Sequence, residues 1–384
     1  MGSLLLLLAI TVIVITSIID PNRYRSKVEA IVGDLAGRPL VIEGNLQVTW
    51  YPWLGLRTGP AHLDNLPGVP GPPIAEWGSV AVAAKLFPLL KGQVVVDRIR
   101  LQSPHIHLRR DAQGHGNWEN LGPRAPSGPA AQKTPPQIAG LEVREGMLEY
   151  VDEMSGLQVN LSGLELDIGE WQVAQPLPVH TRFLVHNDSL PPSGVWVQAD
   201  APEITVRPDP LNVEIPKLSI RIADAQINGD LFCETGPEAF VTHGSLALHV
   251  PSVRKWAHEF ALDQTLPHDP TTLGPLELTT GWSYVGGGLT AKPFALKLDG
   301  VNLDGWVERS APPKSAWRFE LHGDHIDLGR YVNVDSTKKK PFELPVEALR
   351  AVNANGSLIF DRAEIADSHL TDVRLKLQTP QAKQ

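Results

Sequence analysis

Residues Leu157 to Ile168 read LQVNLSGLELDI, and they decide the fold class. Set as a hairpin with Ser162-Gly163 as its two-residue loop, paired residues have position numbers of constant sum and share a face. Leu161 then meets Leu164, Val159 meets Leu166, and Leu157 meets Ile168. Asn160 with Glu165 and Gln158 with Asp167 take the other face, because successive side chains alternate. One face is apolar and the other polar. The same reading around Asp299-Gly300 pairs Leu298 with Val301 and Leu296 with Leu303, with Lys297 and Asn302 opposite. Around Glu145-Gly146 it pairs Val143 with Leu148 and Leu141 with Tyr150, with Glu142 facing Glu149.

Alternation continues at Phe319-Leu321, Ile326-Leu328, Leu358-Phe360 and Val373-Leu375-Leu377. The 34 prolines and 33 glycines favour many short elements joined by turns, and Gly286-Gly287-Gly288 reads as one such turn. Helical patterns are few. Ser252 to Leu262 is one, with Val253, Trp256, Ala257 and Phe260 on a shared face. The expected fold is mainly β, an extended, curved antiparallel sheet. Its apolar face is closed by a second layer in a sandwich, or left as an open groove completed by lipid chains. The residues leave both architectures open, and the lonely helices cannot cover such a face.

Residues 1–19 include the uncharged run LLLLLAITVIVITSII (Leu4–Ile19), near the ~20 residues needed to cross a bilayer core. They are expected to be an uncleaved transmembrane anchor, since neither a basic leader nor a small-residue cleavage site is present. Asp20, Pro21 and Gly37 punctuate an amphipathic helix whose stripe is Tyr24, Val28, Ile31, Val32 and Leu35. It packs on the following strands, lies at the membrane surface, or does both. The expected organisation is an anchor (1–19), an N-terminal helix-plus-strand module (20–121), a Pro/Ala/Gly-rich linker (122–137) and an extended β region (138–384). A weaker break falls at Thr337 to Pro345. Trp50 and Trp53 suit either a membrane interface or a core.

The net charge of −9, with no basic face beyond the short run Lys338 to Lys340, argues against nucleic acid as a partner. The single cysteine, Cys233, excludes an intrachain disulfide and reads as an apolar filler. No phosphate loop, H-E-x-x-H, G-x-S-x-G or paired C-x-x-C occurs. His105 and His107 share a strand face with His115 further along, but a metal needs a third ligand, so they read as solvated histidines. Asp299, Asp304, Asp324 and Asp327 read as turn residues. No catalytic residue, cofactor or metal site is expected.

Several stretches resemble the N-terminal portion of the AsmA family. They are Asp20-Pro21-Asn22-Arg23-Tyr24, Gly37-Arg38-Pro39-Leu40, Ile42-Glu43-Gly44, Tyr51 to Leu56 (YPWLGL) and Leu86 to Gly92 (LFPLLKG). Ser103-Pro104, Asp111 to Leu121 (DAQGHGNWENL) and Ile326 to Tyr331 (IDLGRY) complete the set. Gly116-Asn117-Trp118 is the most specific of them. The resemblance implies a single-pass inner-membrane protein with its bulk in the periplasm, of the bridge-like lipid-transfer type. It implies phospholipids as partners, a role in phospholipid transport and outer-membrane biogenesis, and acyl chains along a β-groove. A scaffold for outer-membrane assembly components is the alternative. Family members usually carry basic residues before the span and continue beyond this length. The lipid-facing candidates are Leu141, Val143, Leu148, Tyr150, Leu157, Val159, Leu161, Leu164, Leu166, Ile168, Leu296, Leu298, Val301 and Leu303.

Overall fold

The computed structural model describes residues 20–49, 54–66, 68–69, 71–84, 96–122, 139–172, 174–208, 210–235, 240–260, 266–267, 269–311, 316–331, 353–365 and 368–378. The expected anchor, Trp50, Trp53, Leu86 to Gly92, the run Lys338 to Lys340 and all of the linker except Gly122 lie outside them. Among the described residues no helix is long and apolar enough to cross a membrane. The chain forms two compact units, the first made of residues 1–172, 177–188 and 192–196, the second of 173–176, 189–191 and 197–384. Both are mainly β with few helices.

In the first unit the Asp20 carboxylate accepts from the Asn22 amide and caps a 3-10 turn, Pro21–Tyr24. Helix α1 (Arg25–Ala36) follows and stops at Gly37, whose φ of +69° suits a residue without Cβ. Val28 packs against a small core of Leu40, Ile42, Leu46 and Ala61. The rest of the predicted stripe does not pack: Tyr24, Ile31, Val32 and Leu35 are exposed, Ile31 by 60 % and Leu35 by 58 %.

Strands β1 (Leu40–Ile42), β2 (Gln47–Thr49), β3 (Leu54–Thr58), β4 (Ala61–Leu63), β5 (Ala75–Trp77), β6 (Ser79–Ala84), β7 (Val96–Gln102) and β8 (His105–Arg110) form two arms. One arm runs β2–β3–β6–β7 and the other β1–β4–β5–β8. They meet on a single long strand, β9 (Leu141–Asp152), which takes β7 along its first half and β8 along its second. The split falls at Ser103-Pro104. Ser103 has φ +49° and donates its amide to the Arg144 carbonyl, while the Pro104 carbonyl accepts from the Met147 amide. Beyond β9 come β10 (Leu157–Ile168) and β11 (Leu177–His186).

Two of the three expected hairpins are corrected here. Leu157 to Ile168 is one strand, and so is the stretch containing Glu145-Gly146. Each carries a β-bulge where a turn was expected. An extra residue shifts which side chains share a face, as a two-residue loop also does, so both readings satisfy the same pattern. The bulges offset one another, and the outer pairs, Leu157 with Asp152 and Ile168 with Leu141, keep one register. In β9 the bulge sits at the split between the arms, where the Glu145 carboxylate accepts from Gln102 Nε2 (2.7 Å) and Ser103 Oγ (3.1 Å). Glu142 therefore faces Asp167 and Arg100 rather than Glu149, with Arg100 Nε 3.1 Å from its carboxylate.

The second unit holds most of β12 (Val195–Pro208), then β13 (Leu211–Ile222), β14 (Ala225–Thr235), β15 (Phe240–Val250), β16 (Leu276–Val285), β17 (Gly288–Leu298), β18 (Val301–Arg309), β19 (Trp317–Asp327), β20 (Ala354–Ile365) and β21 (Ser368–Gln378). From β12 to β19 each strand pairs antiparallel with the next. The Asp299-Gly300 hairpin is present as predicted, with Leu298 opposite Val301 and Leu296 opposite Leu303. Gly286 and Gly287 make the β16–β17 turn. Helix α2 (Val253–Glu259) is capped by Ser252 Oγ, and Trp256 lies against Phe260.

The sheet is not antiparallel throughout. β7 and β8 run parallel to β9, and β19 runs parallel to β20. Parallel neighbours need a connection of a dozen or more residues. The chain supplies one between residues 110 and 141 and another between 327 and 354.

Candidate functional site: the apolar sheet face

Cross-strand partners point to the same face, so the register reads directly as rows of side chains. In the second unit one row crosses ten strands: Ala199, Ile220, Ile227, Leu248, Leu278, Leu296, Leu303, Gly323, Phe360 and Val373. A neighbouring row includes Leu218, Leu246, Phe294, Leu321, Leu358 and Leu375. The opposite face carries Arg221, Gln226, His249, Glu277, Lys297 and Asn302 in one continuous row. Gly323 keeps the apolar surface level, since the Phe360 ring occupies the place of its missing Cβ.

Among the described residues no second apolar layer covers these rows. In a sandwich the inward side chains of both sheets interdigitate and are fully buried. Here the leucines of the rows are half-buried, and no described leucine of the second unit is fully buried. Phe360 is the one large apolar side chain of the first-named row that is sealed, at 3 % exposure.

The first unit repeats the arrangement. Val48, Leu56, Val82, Ile99, Leu141, Ile168 and Val179 form a row across seven strands. Ten of the fourteen sequence-derived candidates are brought together on β9 and β10, with different partners from those expected. Tyr150 faces Val159, Leu148 faces Leu161, Val143 faces Leu166 and Leu141 faces Ile168, while Leu164 lies against Gly146. Leu157 stands at the strand end opposite Asp152, 43 % exposed. Val143 is buried and the other eight are half-buried. Leu296, Leu298, Val301 and Leu303 join the rows of the second unit. Ile220, Ile227, Leu248 and Leu278 belong to the same surface and were not singled out from sequence. Their signal was short alternation such as Leu218, Ile220, Ile222, broken upstream by a bulge at Pro216-Lys217.

The polar groups serve mainly to build the fold. Asn117, 4 % exposed, imitates a strand: its Oδ1 accepts from the Arg109 amide (3.0 Å) and its Nδ2 donates to the His107 carbonyl (2.9 Å). Arg38, also 4 % exposed, donates to the Glu119 carbonyl (2.6 Å) and the Gly37 carbonyl (3.0 Å). Gly37-Arg38 and Gly116-Asn117-Trp118 are thus one structural lock. Downstream, Tyr331 donates to Asp299 (2.7 Å) and Arg330 to Asp269 (3.1 Å). Hydrogen bonds from the Thr271 hydroxyl and amide, then from Arg330, hold the Asp269 carboxyl down at about 2. Burial alone would raise Asp324, but bonds from Asn302 and the His325 amide pull it down to about 2. Asp304 and Asp324 lie within β18 and β19 rather than in turns. Asp327 caps local backbone at the Gly329 amide as expected, whereas Asp299, though in a turn, accepts from the distant Leu273 and Gly274 amides. Cys233 sits between Val213 and Thr242.

On the polar face of β8, His105 and His107 gather with Glu76 of β5, and the three have donor atoms within 4.8 Å of one another. Burial, then His107, holds the His105 imidazole below its usual range against the pull of Glu76 and Glu149. His115 instead pairs with Asp111.

A family model described as AsmA family matches residues 1–194. The chain belongs to the AsmA family. The match covers the whole two-armed strand region through β11, including the Arg38–Asn117 lock and the split at Ser103-Pro104. No curated protein and no solved structure matches this AsmA-family chain.

Proposed function

We propose that this AsmA-family chain is a membrane-anchored periplasmic protein of the cell envelope that handles phospholipids, holding acyl chains along the apolar sheet face as in a groove and leaving head groups in water. The observation that carries this reading is the ten-strand apolar row, half-buried except at Gly323 and Phe360, with no second apolar layer over it among the described residues. At the usual ~4.8 Å strand spacing such a row extends for about 40 Å. Each methylene withdrawn from water contributes ~0.8 kcal/mol, so chains laid along the row are held without a polar pocket or a catalytic group. The exposed Tyr24, Ile31, Val32 and Leu35 of α1 support the same reading. They follow directly on the apolar run of residues 1–19 and suit a helix resting in the inner-membrane interface below a single span.

An assembly scaffold acting on outer-membrane proteins by strand addition is the second reading. β21 supports it, because among the described residues it pairs only with β20. Arg374 and Lys376 on that strand weigh against it, since charged edges discourage addition.

Native mass spectrometry of the gently extracted full chain separates the two. Co-purified phospholipid, lost in the Leu278→Asp/Leu296→Asp variant and retained in Thr279→Asp, is the expected result. A folded wild-type protein that carries no lipid and takes up none when offered it would overturn the proposal.

A further inference from the structure

The polar face of the first unit carries a cluster that lipid handling does not use. β8 alternates: Ile106 and Leu108 face Leu148 and Tyr150 on the apolar side, so His105, His107 and Arg109 point the other way. β5 brings Glu76 directly opposite His105. His105 Nδ1 lies 3.6 Å and His107 Nε2 3.4 Å from the same oxygen, Glu76 Oε1. Both separations exceed the 2.7–3.2 Å of a good N–H···O hydrogen bond. Ligands ~2.0–2.1 Å from a tetrahedral Zn2+ stand about 3.3–3.4 Å apart, close to these two His–Glu separations, and all three donor atoms lie within 4.8 Å of one another.

The second carboxylate is placed differently. Glu149 Oε2 lies 3.1 Å from His107 Nδ1, within hydrogen-bonding range, and binds the ring nitrogen turned away from Glu76. A ligating histidine ordinarily gives its other N–H to a carboxylate, which fixes tautomer and ring orientation. The two rings are themselves packed, centroids 3.9 Å apart, and the His107 side chain is only 13 % exposed. Three elements therefore converge: β5 supplies Glu76, β8 both imidazoles, and β9 the orienting Glu149.

We propose that Glu76, His105 and His107 form a divalent-metal site suited to Zn2+, with Glu149 as a positioning residue and a fourth coordination position left to solvent. Two imidazoles and one carboxylate favour zinc over the oxygen-seeking Mg2+ and Ca2+. Bound there, the ion ties β5 to β8 in the arm that starts at Pro104, and its role is on the opposite face from the acyl-chain rows.

The test is isothermal titration of ZnCl2 into the full-length chain in detergent, with X-ray absorption on the loaded protein. One Zn2+ per chain is expected, with two imidazoles and oxygen in its shell and no sulfur. His105→Ala/His107→Ala removes binding, Glu76→Gln weakens it at least 10-fold, and Glu149→Gln weakens it roughly 10–100-fold with the shell unchanged. His322→Ala, at a His–Asp pair that joins β19 to Asp361 of β20, leaves binding intact. The absorption measurement on wild type stands even if a variant misfolds. No zinc uptake by the wild type, a shell lacking paired imidazoles, or binding that survives His105→Ala/His107→Ala would each overturn the proposal.

Discussion

Arg38 shows what the family's most specific residues do. Its guanidinium is buried among backbone carbonyls of the Gly37 and Asn117–Asn120 segments, and among the described residues no carboxylate bonds it. Truncation to alanine strands those carbonyls, and each buried polar group left without a partner costs ~1–3 kcal/mol. Arg38→Ala is expected to destabilise the first unit by at least about 2 kcal/mol. Arg38→Lys recovers only part of this, because an ammonium lacks the planar fork. Chemical denaturation reads the loss, and hydrogen exchange should locate it at residues 114–121. Unchanged stability in Arg38→Ala would contradict the lock. Sequence alone marked Gly37-Arg38 and Gly116-Asn117-Trp118 as hallmarks but gave no hint that they touch, since about 80 residues separate them.

At the scale of elements, what was legible followed from how local the signal is. The Asp299-Gly300 hairpin was readable because both left-handed turn residues and both flanks lie in one short stretch. α1 was readable from its caps and α2 from the shared face of Val253, Trp256, Ala257 and Phe260. Ser162-Gly163 and Glu145-Gly146 were misread because a bulge and a tight turn leave the same apolar pattern, and only the partner strand tells them apart. The parallel pairings were hidden, although the two segments noted as linker and break fall within the long connections that they require. Glu76 was missed as a companion of His105 because it lies on another strand, 29 residues upstream. One element-level prediction concerns the joint formed by Asp269, Thr271 and Arg330. The Asp269 carboxyl, held at about 2 against a usual 3.8, stabilises the fold fully above pH ~3.8, and that contribution is lost as pH falls through about 2. Melting temperature between pH 4 and pH 2 should therefore fall less steeply in Asp269→Asn than in wild type. Identical slopes would count against this joint.

At the scale of the whole molecule, each unit gathers most of its strand leucines on one sheet face and most of its charges on the other, and among the described residues no second sheet covers the apolar face. Alternation announced that division, and the sandwich or groove question was left open by it because periodicity records which side chains share a face and not what covers them. The half-exposed rows are the central claim, and a light-activated crosslinker tests them most directly. Placed at Leu248, Leu278 or Leu303 in native membranes, it is expected to yield phospholipid adducts, whereas Ala247, Thr279 and Asp304 on the other face yield none. Absence of adducts from the leucine positions, or equal yields from both faces, would contradict the account.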